Sequence, residues 1–201
     1  DAGIQTDWVY DVASRTGVIQ DHNVTVSGGS NSAKYFVSLD YFDQKGILKG
    51  YDYKRYSVRT NLDIDVTKWM KFGLNSYIAS HNRDGGRVNL LNAEAMSPWG
   101  KVYEEDGSLC IYPMYSEQLW SNPLLGTKRD DERRQWNISI NGYGQIDFGN
   151  IWAPLKGLQY RLNFGYTYSP RRDSWYKGRA TNDQNGTGRI FNAETQTRLV
   201  E

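Results

Sequence analysis

A strict alternation of apolar and polar residues is the feature that most constrains the fold of this chain. It is cleanest over residues 136–148, where Trp136, Ile138 and Ile140 are separated by single asparagine or serine residues. The same period of two recurs over residues 23–27, 35–41, 56–66, 70–78, 160–168 and, more weakly, 188–200. Because successive side chains of a strand point to opposite faces of a sheet, the pattern predicts about seven strands, each with one apolar and one polar face.

Composition narrows the class of protein further. Of the 201 residues, 38% are hydrophobic and 14% aromatic, and the mean hydropathy of -0.72 excludes a bundle of transmembrane helices. The aromatic content argues against wholesale disorder. The net charge of +1 arises from 24 basic and 23 acidic residues with no basic block, so we expect no nucleic-acid partner. No signal peptide opens the sequence, and the alternation is unfinished at its end, so we expect residues 1–201 to be an internal fragment.

The connections between the predicted strands alternate in length. Three are short, at residues 28–33, 67–69 and 149–157, and three are long, at residues 43–54, 81–134 and 170–187. An antiparallel meander with this order has its tight turns at one end and its long loops at the other, as outer-membrane barrels do. A soluble antiparallel sheet with one buried face gives the same alternation. The loop asymmetry favours an all-β fold in which the antiparallel meander is part of a transmembrane β-barrel with long extracellular loops.

Each predicted strand would then turn its apolar face to lipid and its polar face to a wet lumen. Five residues on the polar faces are candidates for lining that lumen. They are Arg59, Asn61, Asn75, Asn141 and Arg161. Aromatic residues at the strand ends, such as Trp136 and Tyr160, fit the girdles found at membrane interfaces.

The longest predicted loop carries five aromatic residues that are candidates for contact with a substrate or a partner. They are Trp99, Tyr103, Tyr112, Tyr115 and Trp120. Aromatic rings stack on sugar rings, and tyrosine and tryptophan keep one polar end in water. The alternative is that the same residues pack the loop into a compact unit.

Catalytic and metal-binding patterns are not found, so we expect neither an enzyme nor a cofactor. The two histidines, His22 and His81, have no nucleophile motif around them. The acidic residues 104–106 precede a glycine and are interpreted as a solvated loop tip rather than a catalytic carboxylate pair. Cys110 is the single cysteine, which excludes an internal disulfide and a cysteine-based zinc site.

Short motifs follow one another in a fixed order through the first 80 residues. They are Thr6-Asp7-Trp8, Arg15-Thr16-Gly17, the run from Gln20 to Gly29, Asp43-Gln44-Lys45-Gly46-Ile47, Asp52-Tyr53-Lys54-Arg55-Tyr56-Ser57, Asn61-Leu62-Asp63 and Trp69-Met70-Lys71. Together they resemble the SusC/RagA family of TonB-dependent outer-membrane transporters. Beyond residue 82 only the general character of a barrel remains.

The resemblance implies an early segment of a barrel of about 22 strands, a size at which the lumen is plugged. It implies that the plug, the remaining strands and a segment that contacts the TonB complex lie outside residues 1–201. It further implies import of oligosaccharides, or of peptides, across the outer membrane of a Gram-negative cell, with a SusD-like surface lipoprotein as partner. The other function left open is a soluble β-sheet module that binds glycans on a secreted protein.

Overall fold

The computed structural model shows a protein built almost entirely of strands. It describes residues 5–14, 16–114, 116, 118–178, 181 and 187–193. The strands are β1 (Ile19–Gly29), β2 (Ala33–Gln44), β3 (Tyr53–Thr67), β4 (Met70–Asn82), β5 (Asp130–Asp147), β6 (Gln159–Tyr168), β7 (Arg171–Lys177) and β8 (Thr187–Ala193). Two short helices, α1 (Trp8–Val12) and α2 (Leu90–Ala95), precede β1 and follow β4. Within the described ranges, no helix combines the length and the apolar character that crossing a membrane requires.

All of these strands belong to one open antiparallel sheet. Neighbours in sequence are neighbours in space from β1 to β5, and β6 and β7 both pair with β5. The antiparallel meander predicted from the alternation is therefore confirmed. Because consecutive strands run in opposite directions, the connections at residues 30–32, 68–69 and 148–158 lie at one end, called here the turn end. Residues 45–52 and 83–129 lie at the other, called here the loop end.

The strands β6 and β7 are one strand interrupted at a proline. Ile138 of β5 opposes Tyr168 and Gln135 opposes Arg171, so equal numbers of residues separate the two pairs on both sides of the ladder. Pro170 has no N–H to donate, although its carbonyl still accepts from the N–H of Trp136 at 3.0 Å. The sheet thus has seven positions among the described residues.

The predicted long connection over residues 170–187 is wrong in its first half. Residues Arg171–Lys177 form β7, because β5 begins at Asp130 and offers six further residues as partners before the alternating stretch. The same extension, together with β4 reaching Asn82, shortens the long loop that was predicted over residues 81–134 to residues 83–129.

Register brings the apolar residues of six strands onto one face, called here the apolar face. One row of directly opposed residues crosses the sheet as Val24, Leu39, Val58, Ile78, Ile138 and Tyr168. This face is exposed along its width, with Val24 at 61%, Leu39 at 51% and Leu162 at 60%. Water-soluble proteins seldom leave so large an apolar surface uncovered.

Apart from Ala79 of β4, the described buried apolar side chains lie at the loop end instead of on the sheet. Trp8, Val12, Val88, Ala93, Met96 and Leu124 form one cluster. Because this cluster draws on both helices and on the 3-10 turn Pro123–Lys128, the chain before β1 is packed against the connection between β4 and β5.

Candidate functional site

The connections at the loop end fold into a compact unit, called here the loop cap. It comprises the described residues of 5–14, 45–52 and 83–129, and the buried cluster forms its centre. Leu48, Leu90, Val102, Leu109, Met114 and Trp120 pack around that cluster and are partly buried. Burial of apolar surface in this cluster stabilises the cap as a folded element above the sheet.

The motif Thr6-Asp7-Trp8 attaches the start of the chain to the cap. The indole Nε1 of Trp8 donates to the carbonyl of Ser97 at 2.8 Å, and its ring is 3% exposed. The hydroxyl of Thr6 donates to the carbonyl of Gly100 at 2.8 Å. Asp7 caps α1 by accepting from the N–H of Tyr10 at 3.0 Å. Each residue of the motif therefore has a distinct structural role.

Three cap segments cross backbone to backbone at glycines. A Cβ atom at Gly50 would lie 2.0 Å from the carbonyl oxygen of Gly86, and one at Gly86 would lie 2.2 Å from that of Gly126. Gly50 also has a φ of 82°, a conformation that side chains disfavour. Any larger residue would push these segments apart.

A buried carboxylate links the cap to β5. Asp131 is 2% exposed, and the guanidinium of Arg129 donates to both of its carboxylate oxygens. Arg133 adds a second ion pair at 3.0 Å. The charged run over residues 128–134 neutralises itself in part, because Glu132 and Arg134 also form an ion pair at 3.8 Å. The burial of Asp131 was not predicted, and a buried carboxylate needs partners of this kind.

A cleft of 720 Å³ lies between the cap and β7. Its charged lining residues are Arg87, Arg129 and Lys177, and its described lining includes no aspartate or glutamate. Tyr51 and Tyr112 contribute aromatic rings. We call it the cationic cleft.

The position of Lys177 places the cationic cleft on the polar side of the sheet. Lys177 lies two residues beyond Trp175, which opposes Asp131 of β5. By the alternation of a strand, Asp131 and Lys177 point to the same side as Asn141. The cleft therefore lies at the loop end of the face opposite the apolar one.

The cations of the cleft are only partly compensated. The guanidinium of Arg87 lies 4.7 Å from the centre of the Tyr51 ring, and its buried Nε has no hydrogen-bond partner among the described residues. Burial, and then the nearby Arg133, lower the pKa of Arg87 below its usual value. The Nζ of Lys177 lies 5.4 Å from the Trp175 ring and pairs with no described carboxylate.

The five predicted loop aromatics do not form one platform. Trp99 is 75% exposed and Tyr103 53%, whereas Trp120 packs against the buried cluster. Tyr112 lines the cationic cleft. Tyr115 lies outside the described residues. Packing of the loop, the alternative considered above, therefore accounts for Trp120, and Trp99 and Tyr103 remain accessible.

The predicted lumen-lining residues do share a face. Asn61 opposes Asn75, and Asn75 opposes Asn141, so three asparagines form a row across β3, β4 and β5. Arg59 and Arg161 lie on the same face, where the Arg161 guanidinium is 3.8 Å from the centre of the Tyr143 ring.

Cys110 lies in the cap, as its place in the long loop predicts, but it is not accessible. Its side chain is 3% exposed, and its Sγ donates to the carbonyl of Tyr112 at 3.4 Å. Burial raises the pKa of the Cys110 thiol to about 11. The described residues contain no group of three or more His, Cys, Asp or Glu side chains placed to hold a metal ion.

Sequence reasoning missed the cationic cleft. Tyr51 and Arg87 lie in two different connections and Lys177 lies in β7, and no periodic pattern relates the three residues. The only local signal was the pair Gly85-Gly86 before Arg87, which indicates a turn but no ligand.

The curated proteins that resemble this chain are TonB-dependent receptors. No protein-family model matches the chain. It is 33% identical over 178 residues to TonB-dependent receptor P26 of Formosa agariphila, and this match covers 89% of this chain and 17% of that protein. It is 34% identical over 105 residues to TonB-dependent receptor SusC of Bacteroides thetaiotaomicron, and this match covers 50% of this chain and 10% of SusC. The chain spans about one sixth of the length of the curated relatives that it matches over four fifths or more of its own residues.

A solved structure matches the fold as well. The RagAB peptide importer in its closed-closed state superposes with a TM-score of 0.68 and 25% identity, over 92% of this chain and 22% of that chain. These matches confirm the resemblance to SusC/RagA-like TonB-dependent transporters that residues 6–80 indicated. They also confirm the fold class, an antiparallel meander that is part of a larger barrel.

Proposed function

We propose that this chain is a segment of the barrel wall and extracellular cap of an outer-membrane nutrient importer coupled to TonB. The plug, the other strands and the TonB-contacting segment would belong to the rest of that protein. The similarity to TonB-dependent receptors supports the assignment. The observation that carries it is the exposed apolar face, which continues across six strands.

The height of the apolar face fits a membrane. Its upper limit is the row that contains Tyr41, Tyr56 and Trp136, and its lower limit is the row that contains Ile146 and Tyr160. Ten residues separate Trp136 from Ile146, which is roughly 33 Å of strand and about 25 Å of height at a tilt near 40°. Outer-membrane barrels carry an apolar band of about this height. A soluble glycan-binding module would need a second layer over the same face.

The polar face would line the lumen under this proposal. Arg59, Asn61, Asn75, Asn141 and Arg161 would face the plug and the passing substrate. The row of asparagines offers donors and acceptors to either. The imported molecule would be an oligosaccharide or a peptide. The match to the RagAB peptide importer supports a peptide, whereas the match to SusC supports the family.

The loop cap would meet a SusD-like lipoprotein on the cell surface. Ile47, Leu91, Trp99 and Leu119 of the cap are each at least 65% exposed. Together they offer apolar surface that a partner protein could remove from water. Trp99 and Tyr103 are the predicted partner-contact residues whose accessibility suits this role.

The assignment is tested by placing one charge on either face of the same strand. Ile140 and Ser139 are neighbours in β5 near the middle of the apolar band and point to opposite faces. In the full-length protein, Ile140→Lys should cost roughly 2–4 kcal/mol at the bilayer midplane. Folded protein in the outer-membrane fraction, measured by heat-modifiable gel mobility, should fall strongly, while Ser139→Lys should insert normally. Equal yields for both variants, or recovery of the protein in the soluble periplasmic fraction, would contradict the proposal.

A further inference from the structure

We propose that the cationic cleft binds a carboxylate group of the imported molecule. That the bound molecule is imported rests on the proposed function, whereas the cleft and its charge are independent of it. The cleft lies at the loop end of the polar face, between the cap and β7. A molecule moving from the cell surface into the lumen would pass this point before it reached the row of asparagines.

The charges around the cleft favour an anion. Arg129 and Arg133 together bring two positive charges to the single carboxylate of Asp131. Arg87 and Lys177 add two more, and neither has an ion pair with a described residue. The described lining therefore leaves an excess of positive charge in a partly enclosed space, where attraction for an anion is stronger than in open water.

The geometry at Arg87 favours a planar anion. Its Nε is buried and has no hydrogen-bond partner in the described structure, and no described carboxylate pairs with the guanidinium, so its terminal amino groups are the donors that the cleft offers to a ligand. The Tyr51 ring, 4.7 Å away, holds the guanidinium plane in place. A fixed guanidinium binds a carboxylate through two parallel hydrogen bonds, which a flexible ammonium group does not do.

The chemistry of the two substrate classes points to a carboxylate. Uronic acids in oligosaccharides, and acidic side chains or carboxyl termini in peptides, present the same group. The rings of Tyr51 and Tyr112 beside the cations would contact the less polar surface of a sugar or a peptide side chain. The cleft thus selects for charge, and the source of that charge is decided by experiment.

The experiment measures binding to the purified full-length transporter together with its lipoprotein, by isothermal titration calorimetry. The probes are tri-galacturonate and its neutral methyl ester, and an Asp-containing tripeptide and the same peptide with amidated, uncharged carboxyl groups. The variants are Arg87→Gln, Arg87→Lys and Lys177→Gln. Lys156→Gln, which removes an exposed lysine at the turn end, is the matched control.

One of the two acidic probes should bind, and its neutral counterpart should bind at least about tenfold more weakly. Arg87→Gln and Lys177→Gln should each lower the affinity for the acid about tenfold, Arg87→Lys less, and Lys156→Gln not at all. The acidic probe that binds identifies the source of the carboxylate.

Three results would overturn the inference: no binding of either acid, equal binding of acid and neutral probe, or unchanged affinity in Lys177→Gln. Lys177→Gln changes a strand residue outside the buried cluster, so it remains informative if Arg87→Gln fails to fold. Recovery of wild-type protein as a folded outer-membrane barrel is scored separately. The cleft inference fails alone if insertion is normal and binding is not, and the proposed function fails if insertion itself does not occur.

Discussion

The ring of Tyr143 on β5 packs directly against Gly73 on β4, so closely that a Cβ atom at Gly73 would lie 2.0 Å from the ring. From this position the phenol donates to Asp63 of β3 at 2.8 Å. The guanidinium of Arg161 on β6 lies over the same ring, at 3.8 Å from its centre. One side chain therefore connects four strands across the polar face.

Replacement of Gly73 by valine should break this connection. The valine side chain would displace the Tyr143 ring and separate its hydroxyl from Asp63, so we expect the barrel to lose about 1–3 kcal/mol of unfolding free energy. Urea titration of the folded barrel, followed by gel mobility, measures the loss. Gly144→Val is the control, because a Cβ atom at Gly144 has open space around it. Equal stability of the two variants would mean that Tyr143 does not hold the strands.

The glycine crossing in the cap should be equally intolerant. Gly50 and Gly107 both have a φ of 82°, but only a Cβ atom at Gly50 meets another backbone. Gly107→Ala should cost about 1 kcal/mol from backbone strain alone. Gly50→Ala should cost about 1–3 kcal/mol more and open the cap. Faster hydrogen exchange over residues 83–95 in the Gly50 variant, and not in the Gly107 variant, is the expected result.

Asp131 and Asp130 differ in burial and so should differ in importance. Asp131 is 2% exposed between two arginines, whereas Asp130 is exposed. Asp131→Asn would leave those arginines without their carboxylate, and loss of one partner from a buried pair typically costs about 3–5 kcal/mol. Asp130→Asn should be close to neutral. Thermal unfolding of the two variants separates them, and a neutral Asp131→Asn would show that the buried charges are hydrated.

Thiol labelling should report the orientation of the wall, provided that Cys110 is not the probe. With a pKa of about 11, only about one in a thousand Cys110 thiols is ionised at pH 8, and burial restricts access as well. In a Cys110→Ser background, Glu105→Cys at the loop end should react with an impermeant maleimide on intact cells. Asn31→Cys at the turn end should react only after the outer membrane is broken. The reverse pattern would invert the proposed orientation.

Replacement of a loop aromatic should affect stability if the ring is buried and partner or substrate binding if the ring is exposed. Trp120 packs against the buried cluster, so Trp120→Ala should destabilise the cap by about 3–5 kcal/mol at most, as aromatic truncations in cores do. Trp99 is 75% exposed, so Trp99→Ala should leave stability unchanged and weaken co-purification of the lipoprotein or growth on the imported nutrient. Loss of stability in the Trp99 variant, with normal partner binding, would assign it a structural role only.

The sheet could be predicted from the sequence because its physical rule is local. A period of two assigns Val58 and Leu62 to one face and Arg59 and Asn61 to the other, whatever the surroundings. Strand ends were less predictable. The pairing of Arg171–Lys177 depends on a partner some 40 residues earlier, and Pro170 looks like the start of a loop when read alone.

The cap and its cleft could not be predicted for a related reason. Trp8 and Ser97 are 89 positions apart in the sequence. Arg87 and Lys177 are similarly distant, and no periodic pattern relates them. Their proximity results from backbone crossings at Gly50, Gly86 and Gly126, which a single sequence reports only as turn signals. The aromatic content of the loop was visible, but which rings would be buried was not.

The hydrogen bond from Trp8 to Ser97 joins the segment that precedes β1 to the connection that follows β4. Between these two points the wall is three interstrand spacings wide, about 14 Å. The cap is therefore a brace fastened at both sides of a four-strand panel. A sheet that bends more or less sharply changes the distance between its outer strands, so the brace resists such bending. Whatever motion occurs elsewhere in the barrel, these four strands should move as one rigid panel.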